Sequence, residues 1–287
     1  MKIRIGTRQS RLAMAQTNIV RDLISSAIPN IEIEIVPIAT RGDRIKDVPL
    51  SQIGGRGVFA GELEKALQNG KIDIAVHSAK DLPVRLGEGL EISGTPARGN
   101  PVDVILNRKG EMPDIMARPV IGTGSMRRRA FAGKHYPNAV FKDIRGNIDT
   151  RIQKLLDGQY DGIILAAAGL ERLGIYESND YDVMEFDCGD FLPAPCQGII
   201  AVESRAGGEI SQAMRKISCI DTFICFEAER QVLRLLDFGC SSPVGAYSQI
   251  INSKIHLSVS CDGKRLESGS RDPAEYRELA EELVALL

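Results

Sequence analysis

Histidine is scarce in this chain: His77, His135 and His256 are the only three in 287 residues. A cysteine nucleophile needs a base beside its thiol, so this scarcity weakens a Cys–His hydrolase reading. None of the six cysteines, Cys188, Cys196, Cys219, Cys225, Cys240 and Cys261, forms a C-x-x-C pair, and a zinc site is therefore unsupported. The opening residues, Met1 to Gly6, carry no apolar h-region, so secretion is not expected and the thiols are expected to be reduced. No apolar run is long enough to span a bilayer. Charge of one sign is also missing: the net charge is −2, so no global basic field attracts nucleic acid. Short repeats and low-complexity segments are absent. These absences predict a soluble, cytoplasmic protein with no metal, nucleic-acid or membrane partner.

What is present is an ordinary globular balance, 43% hydrophobic and 26% charged, over a length that suits two or three domains. Residues 3–6 predict a short strand, followed by Thr7-Arg8-Gln9-Ser10 and a helix. Ser10 is placed to cap it, and Leu12, Ala15, Ile19 and Leu23 are read as its apolar face. The alternation Ile31-Glu32-Ile33-Glu34-Ile35 predicts a half-buried strand. The segment from Arg41 to Gly57, rich in glycine, predicts a long mobile loop, and loops of that length are usually either lids or disordered. A helix over 59–69 and a buried strand over 72–76 lead into His77-Ser78-Ala79-Lys80-Asp81-Leu82-Pro83. That cluster lies at the carboxyl end of a strand, where ligands gather in open α/β sheets. Pro and Gly punctuate 95–101, which predicts a crossing to a second α/β unit. There, strands at 120–122 and 140–141 precede helices starting near Met126 and Ile148, and 162–165 is another buried strand. Residues 192–198 predict a second crossing, 199–202 a strand, 221–236 a helix, 254–268 a hairpin turning at Asp262-Gly263, and 273–287 a closing helix.

Arg8, Arg127, Arg128, Arg145 and Arg172 each fall just after a predicted strand or in the first turn of the next helix, with Ser10, Ser125 and Asn147 as caps. Helix N-termini favour anions through their open N–H groups and the dipole. Guanidinium adds two-pronged recognition of carboxylate or phosphate. One such arginine reads as solvated surface; several at one topological position predict a polyanion site. Asp81, at a strand end, could protonate a leaving group or stabilise a developing cation, and a structural ion pair or helix cap is the other reading. His77 beside Ser78 suggests a triad, but neighbouring strand residues point to opposite faces, which argues against it. Cys240 follows a helical stretch, between Gly239 and Gly245, in a loop that opens a thiol to chemistry. The alternative for it is a small buried hydrophobe.

Taken in order, these segments resemble the hydroxymethylbilane synthase family, also called porphobilinogen deaminase. The resemblance runs through almost the whole chain. It is carried by Gly6-Thr7-Arg8-Gln9-Ser10 with Leu12-Ala13, Thr40-Arg41-Gly42-Asp43, Gly54-Gly55-Arg56-Gly57 with Phe59, and His77-Ser78-Ala79-Lys80-Asp81-Leu82-Pro83. Further on come Gly122-Thr123 with Ser125 and Arg127-Arg128, Arg145-Gly146-Asn147 with Thr150-Arg151, and Ala168-Gly169-Leu170 with Arg172. Gln197-Gly198 and Gly239-Cys240 with Pro243 complete the set.

The resemblance implies an α/β fold of three domains. The first two would be like periplasmic binding proteins of type II, with mixed sheets and two hinge crossings, and the third a small α+β domain. The boundaries it implies are 1–96 with 199–216, then 97–198, then 217–287. It implies a transferase that condenses four porphobilinogen molecules into hydroxymethylbilane with loss of four ammonia, in haem and other tetrapyrrole biosynthesis. It also implies a monomer and a dipyrromethane cofactor held by a thioether on Cys240. Asp81 is implied as the catalytic acid. Ser10, Lys80, Asp81, Thr123, Ser125, Arg127, Arg128, Arg145 and Gln197 are implied as cofactor contacts. Arg8, Ser10, Phe59, Arg145, Arg151 and Arg172 are implied as substrate contacts.

Three positions depart from the family pattern. Ala79 replaces a common methionine, Gln52 stands where lysine is frequent, and Pro195-Cys196 stand where Val-Gly is common. Rival readings are a non-catalytic anion-binding module, the effector half of a transcription regulator, and an enzyme using Cys240 as a turnover nucleophile.

Overall fold

The computed structural model describes residues 2–40, 60–114, 116–236 and 243–287. The first part of the chain forms β1 (Lys2–Thr7), α1 (Arg11–Ala27), β2 (Glu32–Pro37), α2 (Gly61–Gln68), β3 (Ile74–Ser78) and β4 (Leu90–Gly94). Next come β5 (Asp103–Arg108), β6 (Val120–Gly122), α3 (Met126–His135), β7 (Val140–Lys142), α4 (Ile148–Leu156), β8 (Gly162–Ala166), α5 (Ala167–Leu173) and β9 (Tyr181–Glu185). The last part forms β10 (Ile200–Arg205), α6 (Glu209–Met214), α7 (Ile220–Leu236), β11 (Gly245–Ile251), β12 (Lys254–Cys261), β13 (Lys264–Glu267) and α8 (Tyr276–Ala285).

The fold is mixed α/β. Among the described residues the strands make two sheets of five and one of three. In the first sheet, ordered β2-β1-β3-β10-β4, β1 runs parallel to β2 and β3, with Ile3 opposite Ile33 and Ile5 opposite Ile74. β10 lies antiparallel between β3 and β4, with Val202 opposite Val76. The second sheet, β7-β6-β8-β5-β9, repeats this plan: β6 is parallel to β7 and β8, and β5 is the antiparallel insertion. The third sheet is the meander β11-β12-β13. The turn between β12 and β13 sits at Asp262 and Gly263, both left-handed at φ 47 and 85, as a type I′ hairpin requires.

The chain separates into two compact units, Met1–Gly99 with Ile199–Cys240 and Asn100–Gly198 with Ser241–Leu287. In unit 1, Ile3, Ile5, Ile74 and Val76 pack with Val20 and Ile24 of α1 on one face of the sheet. Leu63 and Leu67 of α2 cover Ala75 and Ile72 on the other. Central strands covered on both faces read as apolar runs, and each isoleucine removed from water stabilises by about 1.5–3 kcal/mol. Unit 2 has the same two-faced core, with Val104, Ile163 and Leu165 against Ile152, Leu155 and Leu170, and Ile105 and Ile164 against Phe131 and Phe191. Gly6 in β1 and Gly122 in β6, strands that hold the same place in the two sheets, have no room for a side chain. A Cβ on Gly6 would lie 2.2 Å from Ile72 Cδ1, and one on Gly122 would lie 2.8 Å from the Tyr160 ring.

The buried face of α1 differs from the predicted one. It consists of Ala13, Gln16, Thr17, Val20 and Ile24, while Ile19 and Leu23 are each 37% exposed. Two polar residues occupy it because each finds a partner inside. Thr17 Oγ1 donates to Ala13 O at 2.9 Å, and Gln16 pairs with Ser78. α7 is anchored in unit 1 by buried charges: Arg98 makes a two-pronged bond to Glu229 at 2.7 and 3.2 Å, and Arg230 donates to Pro83 O and Val84 O.

Candidate functional site

In unit 1 two strand ends build a pocket. β1 stops at Thr7, and the chain turns through Arg8 and Gln9 to Ser10, whose hydroxyl accepts from Ala13 N at 3.3 Å and starts α1. β3 stops at Ser78 and tightens into a 3-10 turn over Ala79–Asp81. Ala79 N donates to Ile199 O at 3.0 Å, and Leu82 N closes the turn on Ala79 O. Ala79 and Leu82 are buried at 2% and 1%, so the turn is pinned on both sides while Asp81 stays exposed. The Asp81 carboxylate has no hydrogen-bond or ion-pair partner among the described residues. Between the strand ends lies a pocket of about 70 Å³ whose lining includes Arg8, Ser10, Gln16, His77, Ser78 and Asp81. Lys80 is half-buried within the same turn.

In unit 2, Arg127 and Arg128 lie in the first turn of α3 and Arg145 shortly after β7, as predicted, while Arg172 lies elsewhere. Ser125 caps α3 by accepting from Arg128 N, and Asn147 caps α4 by accepting from Thr150 N, as expected. Yet Arg127 and Arg128, in the first turn of α3, are buried at 5% and 8% and close on Asp103 at 2.7 and 2.8 Å. Their remaining donors reach Leu192 O and Ile164 O. Burial pushes the Arg127 guanidinium pKa down, Asp103 opposes that, and Arg128 adds to it. Gln197, buried at 1%, joins the cluster by donating to Pro101 O and Asp103. Two guanidinium groups on one carboxylate leave a net positive charge beneath the strand ends. Arg145 lies between β7 and α4, half-buried, with a guanidinium uncommitted among the described residues. Arg151 donates to Gly146 O at 2.8 Å. Thr123, buried at 1%, accepts from Ser125 N.

Arg172 is a correction. It was placed by sequence at a strand end or first helical turn, but β8 passes directly into α5 and Arg172 sits in the last turn of that helix. The run 163–170 hides the change from strand to helix, because it is apolar throughout and gives no break in hydrophobicity between the two. A cation there matches the negative end of the helix dipole. Arg172 donates to Gly198 O, and burial pushes its pKa down to about 10, so it remains charged at neutral pH.

The crossing before Gly198 holds an unusual turn. Gln197 N donates to Ala194 O at 2.9 Å, with Pro195 second and Cys196 third at φ 64, a type II arrangement in which glycine is the usual third residue. Cys196 is 1% exposed.

Sequence reasoning missed Gln16 and Asp103. Each left a trace: Gln16 is a polar residue in phase with Ala13 and Val20, and Asp103 is a lone acid opening an apolar run. His77, set aside by strand alternation, lines the pocket with Ser78 because the strand ends between them and the turn. Phe59, Cys240 and the segment from Arg41 to Gly57 lie outside the described residues.

Comparison with known proteins covers both parts of the chain. The dipyromethane cofactor binding domain of porphobilinogen deaminase matches residues 3–213, and the porphobilinogen deaminase C-terminal domain matches 223–282. The porphobilinogen deaminase of Syntrophobacter fumaroxidans is 40% identical over 98% of this chain and 92% of that protein. The one of Syntrophomonas wolfei is 42% identical over 99% and 94%. Among solved structures, the periplasmic VFT2 domain of Bordetella pertussis BvgS is similar at 14% identity and a TM-score of 0.45, covering 80% of this chain and 91% of that one. Matched by both domain models and by relatives of nearly its own extent, the chain belongs to the porphobilinogen deaminase family.

Proposed function

We propose that this chain condenses four porphobilinogen molecules head to tail into hydroxymethylbilane, releasing four ammonia, in tetrapyrrole biosynthesis. The observation that carries the reading is the unit 1 pocket, where an exposed carboxylate, Asp81, stands at a strand end with Arg8, Ser10 and Ser78. The donors of unit 2 suit a ligand bearing several carboxylates. Arg145 has an uncommitted guanidinium among the described residues, and the cluster at Asp103 keeps a net positive charge. A dipyrromethane joined by a thioether to Cys240, when bound, supplies the primer to which pyrrole units are added.

The chain's own residues then divide the work. Arg145, Arg151 and Arg172 offer guanidinium to acetate and propionate groups, with Thr123 and Ser125 beside them. Arg127, Arg128 and Gln197, already joined to Asp103, contribute charge and shape from behind. Arg8, Ser10, Lys80 and Phe59 hold the incoming pyrrole. Asp81 gives a proton to the departing amine, and its carboxylate then faces the cation left on the substrate. The reading includes a cytoplasmic monomer; no helix among the described residues is long and apolar enough to cross a membrane.

The test is intact-mass measurement with peptide mapping of purified protein, alongside an assay for hydroxymethylbilane. A covalent dipyrromethane on Cys240 is expected, and an unmodified Cys240 in active enzyme would sink the assignment. Asp81→Asn should keep its melting temperature, since the side chain is exposed and unpartnered among the described residues, and should lose about 10²-fold or more in kcat. Light scattering checks the monomer.

A further inference from the structure

His77 and Glu203 form a buried pair to which the reading above gives no role. His77 Nε2 lies 2.9 Å from Glu203 Oε2, with His77 7% exposed and Glu203 fully buried. Among the described residues Glu203 Oε1 has no partner and His77 makes no other hydrogen bond, which leaves Nδ1 uncommitted among them. The register of β10 against β4 shifts between Val202 and Glu203. Irregularities of this kind re-aim a side chain, and they occur beside active sites. The neighbouring charges are Glu64 on α2, whose carboxyl is pushed up by burial and by Glu203, with Arg8 and Asp81 on the pocket side.

Burying a carboxylate against an imidazole gains little stability over apolar packing, because taking the polar groups from water offsets the bond they make. This pair also touches the pocket. With Glu203 ionised, Nε2 carries the hydrogen and donates it, which leaves Nδ1 as the nitrogen able to accept a proton. A carboxylate orienting an imidazole beside a reacting carbon is a recurrent way to fix a tautomer. The condensation needs such an acceptor. Asp81 has to stay an anion while the substrate cation exists, yet the attacking pyrrole must also lose the hydrogen on its α-carbon.

We propose that His77, oriented by Glu203, is a second acid–base residue of the unit 1 pocket and takes that α-hydrogen as a proton. This rests on the deaminase reading above. The electron pair of the attacking ring forms the new carbon–carbon bond. The α carbon–hydrogen bond then breaks, its electron pair returns to the ring, and the proton goes to Nδ1. His77 passes it to the Asp81 carboxylate, which lines the same pocket and gave its own proton to the amine, so each cycle releases one neutral ammonia and ends with both the imidazole and the Asp81 acid restored.

Two measurements test this. With only three histidines in the chain, the imidazole nitrogens can be assigned by 15N NMR of the holoenzyme. The neutral imidazole of His77 should carry its hydrogen on Nε2 with Nδ1 bare; the opposite tautomer overturns the proposal without reference to turnover. The second uses porphobilinogen deuterated at the free α-carbon. His77→Gln should lose about 10²-fold in kcat with KM little changed, and its isotope effect should exceed that of the wild type. An isotope effect equal to the wild-type value overturns the proposal. If His77→Gln does not fold, Glu203→Gln, isosteric and still able to bond Nε2, takes its place: the same larger isotope effect is expected, and wild-type kcat with an unchanged effect overturns it. A wild-type protein that makes no hydroxymethylbilane would defeat the deaminase reading itself, whereas normal wild-type turnover with unaltered variants defeats only the role of His77.

Discussion

Cys196 is a left-handed residue with a side chain, at φ 64 in a buried turn, and a pair of substitutions measures what that conformation costs. At an ordinary buried position alanine is more stable than glycine for two reasons. Its methyl group is out of water, worth about 0.8 kcal/mol, and glycine has more freedom to lose on folding, worth roughly 0.5–1 kcal/mol. At Cys196 a third effect opposes these, because any Cβ in the left-handed region costs about 1–2 kcal/mol that glycine avoids. The three nearly cancel, so Cys196→Ala and Cys196→Gly should be close in stability. Cys225 supplies the control: it is 4% exposed in the middle of α7, where the same comparison has no φ strain and glycine carries its helix penalty of about 1 kcal/mol. The gap there should be about 1.8 kcal/mol. At about 2–4 °C per kcal/mol for a chain of this class, that is roughly 4–7 °C in Tm at Cys225 against about 3 °C or less at Cys196. Scanning calorimetry on the four variants under one set of conditions is the assay. A gap at Cys196 as wide as that at Cys225 would refute the strained-turn argument.

Glu229→Ala should cost about 3–5 kcal/mol, because it strands Arg98, whose side chain is 12% exposed, without its two-pronged partner; urea unfolding showing a loss below about 1 kcal/mol would contradict this. Arg145→Leu should leave Tm unchanged and raise KM, whereas Arg128→Leu should lower Tm by removing one of the two guanidinium groups on buried Asp103. Equal Tm losses in the two variants would contradict the distinction between a ligand-facing and a structural arginine. A pH effect is expected at Asp73. Burial would raise its carboxyl, but bonds from the Arg4 side chain and backbone, with Arg205, outweigh this and hold it below the usual range. A depressed carboxyl stabilises fully above its unfolded pKa of about 3.9 and loses that contribution as pH falls through the folded value. Arg4→Met should therefore be less stable than wild type at neutral pH by a margin that shrinks as pH drops below about 4, and a margin constant across that range would count against the linkage.

Much of the fold was legible because local signals and burial agreed. The caps Ser10, Ser125 and Asn147 and the I′ turn at Asp262-Gly263 are chemical devices with one structural meaning each. The phase of α1 was misread because hydrophobicity alone does not distinguish Ile19, which is exposed, from Gln16, which is buried and paired with Ser78. Arg172 was misplaced because β8 becomes α5 inside one unbroken apolar run, with no loop or capping side chain between them. At the site, residues tied to a strand end by adjacency, such as Arg8 and Asp81, could be read from sequence. Partners set by long-range pairing, such as Asp103 for Arg127 and Arg128 or Glu203 for His77, could not, since their separation in sequence carries no periodicity.

The shared strand order of the two large sheets has a consequence for synthesis. Among the described residues β4 has β10 as its one neighbour in the sheet, and β3 pairs with β10 on the side away from β1. On the ribosome, which adds about 5–20 residues per second, the first sheet must therefore wait with two strands unsatisfied until every strand of the second sheet has been made. An exposed strand edge is a template for wrong pairing. A nascent chain halted before Ile200 would carry such an edge, so this protein should depend on chaperones or uninterrupted translation over that interval, and a fragment ending at the first crossing should be insoluble.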